Sequence, residues 1–68
     1  MKVLSPVEGS FNMQFVDEGA VVVVDELLGN VESMKVQFEL RSPCSGTVHW
    51  LEALGKVVKR GQPLAEVS

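Results

Sequence analysis

The sequence predicts an all-β domain of about eight short strands in two small sheets, with no helix, and three observations carry that prediction. Val is the commonest residue of a 68-residue chain that also holds six Gly and three Pro, a composition of short strands and tight turns. Apolar residues alternate with polar ones at period two in two separate stretches. The order Ser-Pro-x-x-Gly, then Gly-x-Val-Val, then Leu-x-x-Val occurs twice, the mark of an internal duplication.

Along the chain, the first turn signal is Ser5-Pro6. Beyond it Phe11, Met13 and Phe15 alternate with Asn12 and Gln14, which predicts a half-buried strand with those three apolar side chains on one face. Glu18-Gly19 ends that strand, and the apolar run Ala20 to Val24 follows. The stretch Val31-Glu32-Ser33-Met34-Lys35-Val36 lies between the two copies, and the strands on either side make Ser33 to Lys35 the turn of a hairpin. Val36, Phe38 and Leu40 then alternate with Gln37, Glu39 and Arg41 as a second half-buried strand. Ser42-Pro43, Leu54-Gly55 and Arg60-Gly61-Gln62-Pro63 punctuate the rest, and Val67-Ser68 closes the last strand.

Residues 1–68 read as one domain containing repeats at about 5–32 and 42–68. Ser5-Pro6-Val7-Glu8-Gly9-Ser10-Phe11 matches Ser42-Pro43-Cys44-Ser45-Gly46-Thr47-Val48 at an offset of 37. Gly19, Val21, Val22, Leu28 and Val31 match Gly55, Val57, Val58, Leu64 and Val67 at an offset of 36, so the second copy lacks one residue between Gly46 and Gly55. Neither copy alone is large enough to bury an apolar face, which predicts two interlocked strand-turn units about an approximate twofold axis. The first copy has Val23-Val24-Asp25-Glu26-Leu27-Leu28 where the second has Lys59-Arg60-Gly61-Gln62-Pro63-Leu64. It has lost the turn's Gly and Pro, and Val23 and Val24 are expected at the surface.

Composition excludes several functions. The net charge is −3, without a basic cluster of the kind that tracks phosphates, so nucleic acid is not an expected partner. The longest apolar run is far shorter than the roughly 20 residues of a membrane helix, and the first residues lack the apolar stretch of a signal peptide. No membrane association is expected. A lone Cys44, with no CxxC or HExxH spacing, points to a reducing cytoplasmic compartment and away from metal binding. No set of nucleophile, base and orienting residue is present, so the domain is not expected to be an enzyme. His49 and Trp50 are adjacent on a strand and face opposite ways. Trp50 reads as packing whose indole N–H needs a partner, Cys44 as a small buried apolar side chain equivalent to Val7, and Asp17, Glu18, Asp25 and Glu26 as a solvated acidic face.

Glu32-Ser33-Met34-Lys35 resembles the Glu-Ala/Ser-Met-Lys attachment motif of biotinyl domains, within the biotinyl/lipoyl attachment family. Ser42-Pro43-Cys44-Ser45-Gly46-Thr47-Val48 is similar to the Ala-Pro-x-x-Gly-x-Val that follows it in that family. Gly19, Gly55 and Gly61-Gln62-Pro63-Leu64 fall where the family has its turns, so the resemblance covers nearly the whole chain. It implies a flattened β-barrel, or barrel-sandwich hybrid, of two four-stranded antiparallel sheets. The modified lysine would stand on an exposed β-hairpin at one end, with the chain termini at the other and no protruding insertion between early strands. Physics agrees on Lys35: a carrier anchor needs an exposed amine on a rigid base. Amide formation needs a neutral amine, whereas a lysine side chain in water is overwhelmingly protonated at neutral pH, so a ligase has to supply the activation.

The resemblance further implies biotin, covalently attached at Lys35, because biotinyl domains favour Met on both sides of the lysine and lipoyl domains have Asp before and Ala after. Met34 fits biotin; Val36 departs from the second Met. The implied partners are a biotin protein ligase, which would read Glu32, Ser33, Met34 and Val36, and the biotin carboxylase and carboxyltransferase subunits or domains of a biotin-dependent carboxylase. Glu32 is expected to help hold the hairpin in the orientation the ligase accepts. The implied setting is cytoplasmic, or mitochondrial or plastid within a larger carboxylase. Two other readings stand beside this one: a lipoyl carrier, and an unmodified barrel-sandwich interaction module.

Overall fold

In the computed structural model, which describes Met1–Ser68, every regular element is a strand. These are β1 (Lys2–Leu4), β2 (Gly9–Gln14), β3 (Val21–Val22), β4 (Leu27–Ser33), β5 (Val36–Arg41), β6 (Gly46–Trp50), β7 (Val57–Val58) and β8 (Pro63–Val67). They form two four-stranded antiparallel sheets, β1-β8-β6-β3 and β5-β4-β2-β7. Each sheet takes two strands from the first half of the chain and two from the second. Neither half therefore has a sheet of its own, and the interlocking expected from the repeat is literal.

Backbone pairing repeats residue for residue. Lys2 pairs with Glu66 and Val3 with Ala65 in one sheet, as Glu39 pairs with Asn30 and Leu40 with Gly29 in the other. The irregularity at Val3/Leu4 recurs at Leu27/Gly29. Turns repeat as well. Ser5 and Ser42 hydroxyls donate to the carbonyls of Val7 and Cys44, the Val23 N–H donates to Glu26 Oε1, and the Lys59 N–H donates to Gln62 Oε1, the last two at 3.0 Å. The turn that lost its Gly survives because Asp25 takes φ 71° where Gly61 has 81°; a short polar side chain tolerates this left-handed region better than most. Val23 and Val24 are exposed there, as expected.

The one-residue gap between the copies is a β-bulge. Phe11 faces Val31 across β2 and β4, as Val48 faces Val67 across β6 and β8, but Asn12 has no partner and pairing resumes at Met13–Asn30, the equivalent of His49–Glu66. Asn12 is the extra residue, and it reverses the side-chain phase of everything after it. The expectation that Phe11, Met13 and Phe15 share a buried face is thus corrected. Phe11 is fully buried, whereas Met13 and Phe15 are 44% and 48% exposed.

The core between the sheets comprises eleven apolar residues, among them the equivalent pairs Leu28/Leu64, Val31/Val67 and Val22/Val58. Burying each such side chain contributes about 1.5–3 kcal/mol. Val7 and Cys44 pack against this cluster at equivalent places, both half-buried. No helix of the chain is long and apolar enough to cross a membrane.

Candidate functional site

Strands β4 and β5 form the longest ladder of the molecule, from Leu27–Arg41 to Ser33–Val36. Ser33 therefore belongs to the strand, and the connection is the two-residue loop Met34-Lys35. Its residues have φ 52° and 65°, the pair of positive values that a type I′ hairpin requires. Such turns favour Asn-Gly because a Cβ in this region costs about 1–2 kcal/mol per residue. Met34 and Lys35 carry none of that preference, so the rest of the hairpin imposes the conformation on them. Strain of this kind, held at an exposed tip, is a mark of functional positions.

The tip is open and its base is closed. Met34 is 94% exposed and Val36 52%, while Glu32 and Ser33 are half-buried. No carboxylate lies within 4.0 Å of the Lys35 ammonium. Beneath the tip, Gly9 at the start of β2 lets two backbones meet: a Cβ there would lie 2.2 Å from the carbonyl oxygen of Glu32 and 3.2 Å from Cβ of Ser33. From the bulge, Asn12 Nδ2 donates across β4 to Oε1 of Gln37 at 3.3 Å, and Gln37 pairs with Glu32 one step below the tip. The Glu32 side chain makes no hydrogen bond or ion pair within the chain. The hairpin's orientation is carried instead by its ladder, by Gly9 and by Asn12 with Gln37. Sequence reading did not single out these three residues for the site. Gly9 had a signal, as the Gly of the repeated Ser-Pro-x-x-Gly; Asn12 and Gln37 had none.

Lys35, Met34, Ser33, Glu32 and Val36 are thus brought together as one hairpin end, the chemistry of which is a single free primary amine on a rigid mount. That donor set fits one amide-linked acid. No three His, Cys, Asp or Glu side chains gather anywhere to hold a metal ion.

His49 and Trp50 lie on β6, outside this end, and face opposite ways as their spacing requires. The Trp50 ring packs against Phe11, with centroids 5.5 Å apart, and its Nε1 donates to the Val16 carbonyl at 3.1 Å. The Glu18 carboxylate accepts from the Trp50 N–H at 2.7 Å and meets His49 Nδ1 at 2.8 Å. The Trp50 N–H first, and then His49, hold the Glu18 carboxyl below its ordinary value. Glu18 is exposed, as a solvated acidic face requires, and it also clasps the β2–β3 loop to β6.

Comparison with known proteins gives three kinds of likeness. Residues 1–67 match the biotin/lipoyl family model described as "Biotin-requiring enzyme". In sequence, the chain is 38% identical over 55 residues to the dihydrolipoyllysine-residue succinyltransferase component of the 2-oxoglutarate dehydrogenase complex of Rickettsia bellii (strain RML369-C). The match covers 81% of this chain and 12% of that protein. In structure, the whole chain superposes on part of Kluyveromyces lactis urea carboxylase with a TM-score of 0.91 at 23% identity, covering 6% of it. A single-chain, multi-domain long-chain acyl-CoA carboxylase matches over 94% of this chain and 7% of its own, with a TM-score of 0.83 at 28% identity. The ectoine utilization protein EutE (DoeB) of Ruegeria pomeroyi matches over 97% of this chain and 21% of its own, with a TM-score of 0.72 at 27% identity. The chain spans a small fraction of each of these proteins.

Proposed function

The chain belongs to the biotinyl/lipoyl attachment-domain family, and from that premise we propose that it is a biotin carboxyl carrier domain whose Lys35 is biotinylated by a biotin protein ligase. The carrying observation is the strained two-residue tip, which presents one amine to a modifying enzyme while the ladder below it stays fixed. Exposure lets a ligase enclose the side chain, and rigidity keeps a tethered group in register with a distant acceptor. Attached biotin would supply a ureido ring able to carry carboxylate between a biotin carboxylase site and a carboxyltransferase site. This chain's own part is to hold the Lys35 Nζ outward and to offer Met34 and Val36 as the apolar surface the ligase reads, flanked by Glu32 and Ser33. The domain is a carrier, and its chemistry is performed by the enzymes it visits.

Two observations support biotin over lipoate: Met34 precedes the lysine, and the chain is similar in fold and sequence to part of a long-chain acyl-CoA carboxylase. One observation favours a lipoyl carrier, the 38% identity to a protein named for a dihydrolipoyllysine residue. Lipoate would attach at the same amine, so the two readings differ in cargo and not in site.

Intact mass of the chain from cells supplied with both acids and both ligases separates them. A single biotinyl increment that binds avidin and is abolished by Lys35→Arg is the expected result. A lipoyl increment transfers the assignment to the second reading. No increment on Lys35 under either ligase leaves the unmodified interaction module.

A further inference from the structure

We propose that Lys56, Lys59 and Arg60 form a cationic docking rim beside Lys35, built to meet a carboxylate-rich protein surface around the cleft of the ligase that accepts this lysine. The proposal rests on the reading of Lys35 as the attachment point. Val58 of β7 pairs with Gly9, the residue that backs Glu32 and Ser33, so β7 runs out toward the hairpin end. The strand order sets β7 two strands from β4, roughly 10 Å away. Lys59 and Arg60 follow β7 directly at the hairpin end, and Lys56 precedes it, set back level with Phe11, whose N–H donates to its carbonyl at 2.8 Å.

All three side chains are exposed, and none has a carboxylate within 4.0 Å. Their turn is nonetheless well fixed. Gly61 donates its N–H to the Ser5 carbonyl at 2.8 Å, Gln62 Oε1 receives the Lys59 N–H, and Gln62 Nε2 donates to Glu52 at 2.8 Å. Free cations on a fixed turn are presented to something outside the chain.

The repeat supplies the control. Ala20, Val23 and Val24 occupy the equivalent positions of the first copy, whose turn keeps the same backbone hydrogen bonds with no cation at any of the three; the guanidinium it meets is that of Arg41, which donates Nη1 to the Asp25 carbonyl at 2.9 Å. Folding the turn does not call for cations at these three positions, yet the second copy has one at each. The opposite end carries Asp25, Glu26 and Glu39 against Arg41, which pairs with Glu39 at 2.9 Å, and the whole chain is −3. Around the lysine, Glu8, Glu32 and the engaged Glu52 face Lys35, Lys56, Lys59 and Arg60. The charged groups therefore lean positive toward the tip and negative away from it. An acidic cleft rim would turn it lysine-first during encounter. The exposed Met34 and Val36 provide the apolar centre that such a contact closes upon. Three cations are few for nucleic acid, where affinity grows with each phosphate neutralised.

The test is the rate of biotin incorporation into the full chain by a biotin protein ligase, followed by intact mass at about 0.02 M and about 0.5 M salt. Lys59→Glu/Arg60→Glu is expected to lower kcat/KM about tenfold at low salt with kcat unchanged, and the deficit should vanish at high salt. Val23→Glu/Val24→Glu, which adds two negative charges on the equivalent turn, should leave kcat/KM at the wild-type value, and Lys59→Ala/Arg60→Ala, the same net change at the rim, should lower it at low salt. Unfolding midpoints of both variants report on the fold. An unchanged low-salt kcat/KM for the Lys59/Arg60 variant, or an equal loss at both salts, overturns the docking rim. If wild-type Lys35 accepts no biotin at all, the reading on which the proposal rests has failed and takes the rim with it.

Discussion

Strands β2 and β6 hold equivalent positions in the two sheets, start with equivalent glycines, and differ by one residue. In β6 the succession Val48, His49, Trp50 runs inward, outward, inward without interruption. In β2 the bulge at Asn12 lies between Phe11, which faces in, and Met13, which faces out, so that Gln14 returns to the place that Trp50 holds in β6. The core is filled differently in consequence. Phe11 and Trp50 supply two rings that meet, where their equivalents Val48 and Gln14 supply far less volume. Even the side-chain hydrogen bonds correspond: Trp50 Nε1 donates to the Val16 carbonyl, and Gln14 Nε2 to that of Glu52. A duplicated backbone can thus keep its pairing while its halves divide the work. The bulged strand backs the β4–β5 hairpin, and the unbulged one carries the larger share of the packing.

The comparison can be broken first at the glycines. Gly9→Val drives a side chain into the backbone of Glu32 and is expected to cost about 3 kcal/mol or more. Gly46→Val meets Ser68 at the longer distance of 2.7 Å and should cost less, as read from urea midpoints. Trp50→Ala comes next, at about 2–3 kcal/mol for a half-buried ring, against less than about 1 kcal/mol for Gln14→Ala at the equivalent place. Deleting Asn12 turns β2 into a copy of β6. The chain should still fold, because β6 shows that the register closes without the extra residue, with a loss of about 1 kcal/mol and faster amide exchange in the hairpin. Disordering of the whole chain on that deletion would refute the equivalence.

The smallest effect is electrostatic and belongs to β6 alone. The Trp50 N–H and His49 depress the Glu18 carboxyl below its ordinary value near 4.5. A depressed folded value adds stability above pH about 4.5 and loses it as pH falls through the folded value. Glu18→Gln should remove that contribution, slightly lowering the neutral plateau and leaving stability below the folded value nearly unchanged, so that the acid limb flattens. Leu54, its equivalent in the second copy, has no such titration to lose. Acid unfolding of both proteins, followed by Trp50 fluorescence, makes the measurement.

Much of this was readable in the chain itself. Two-period alternation identifies β5, and the paired Ser-Pro-x-x-Gly and Leu-x-x-Val motifs lead to interlocked copies, because equivalent residues demand equivalent partners. The β4–β5 hairpin follows from its position between the copies. What stayed hidden is tertiary. Asn12 changes the phase of a strand without altering its composition, so Met13 and Phe15 pass for core. Met34-Lys35 has no turn propensity, so the tip is found one residue shorter than its flanks suggest. Glu18 finds His49 and Trp50 only after the β2–β3 loop has passed from one sheet to the other.

The two-residue tip also bears on proteolysis. A serine protease that cuts after lysine binds its substrate as an extended strand, whereas Met34 and Lys35 sit in left-handed backbone locked between Ser33 and Val36. Exposure alone therefore does not make Lys35 a cleavage site. Trypsin should nick the unmodified folded chain there only when the hairpin opens, and acylation of the amine should close the site altogether. The rate of that nick reports the population of the open arm, and its opening rate once cleavage outpaces reclosing.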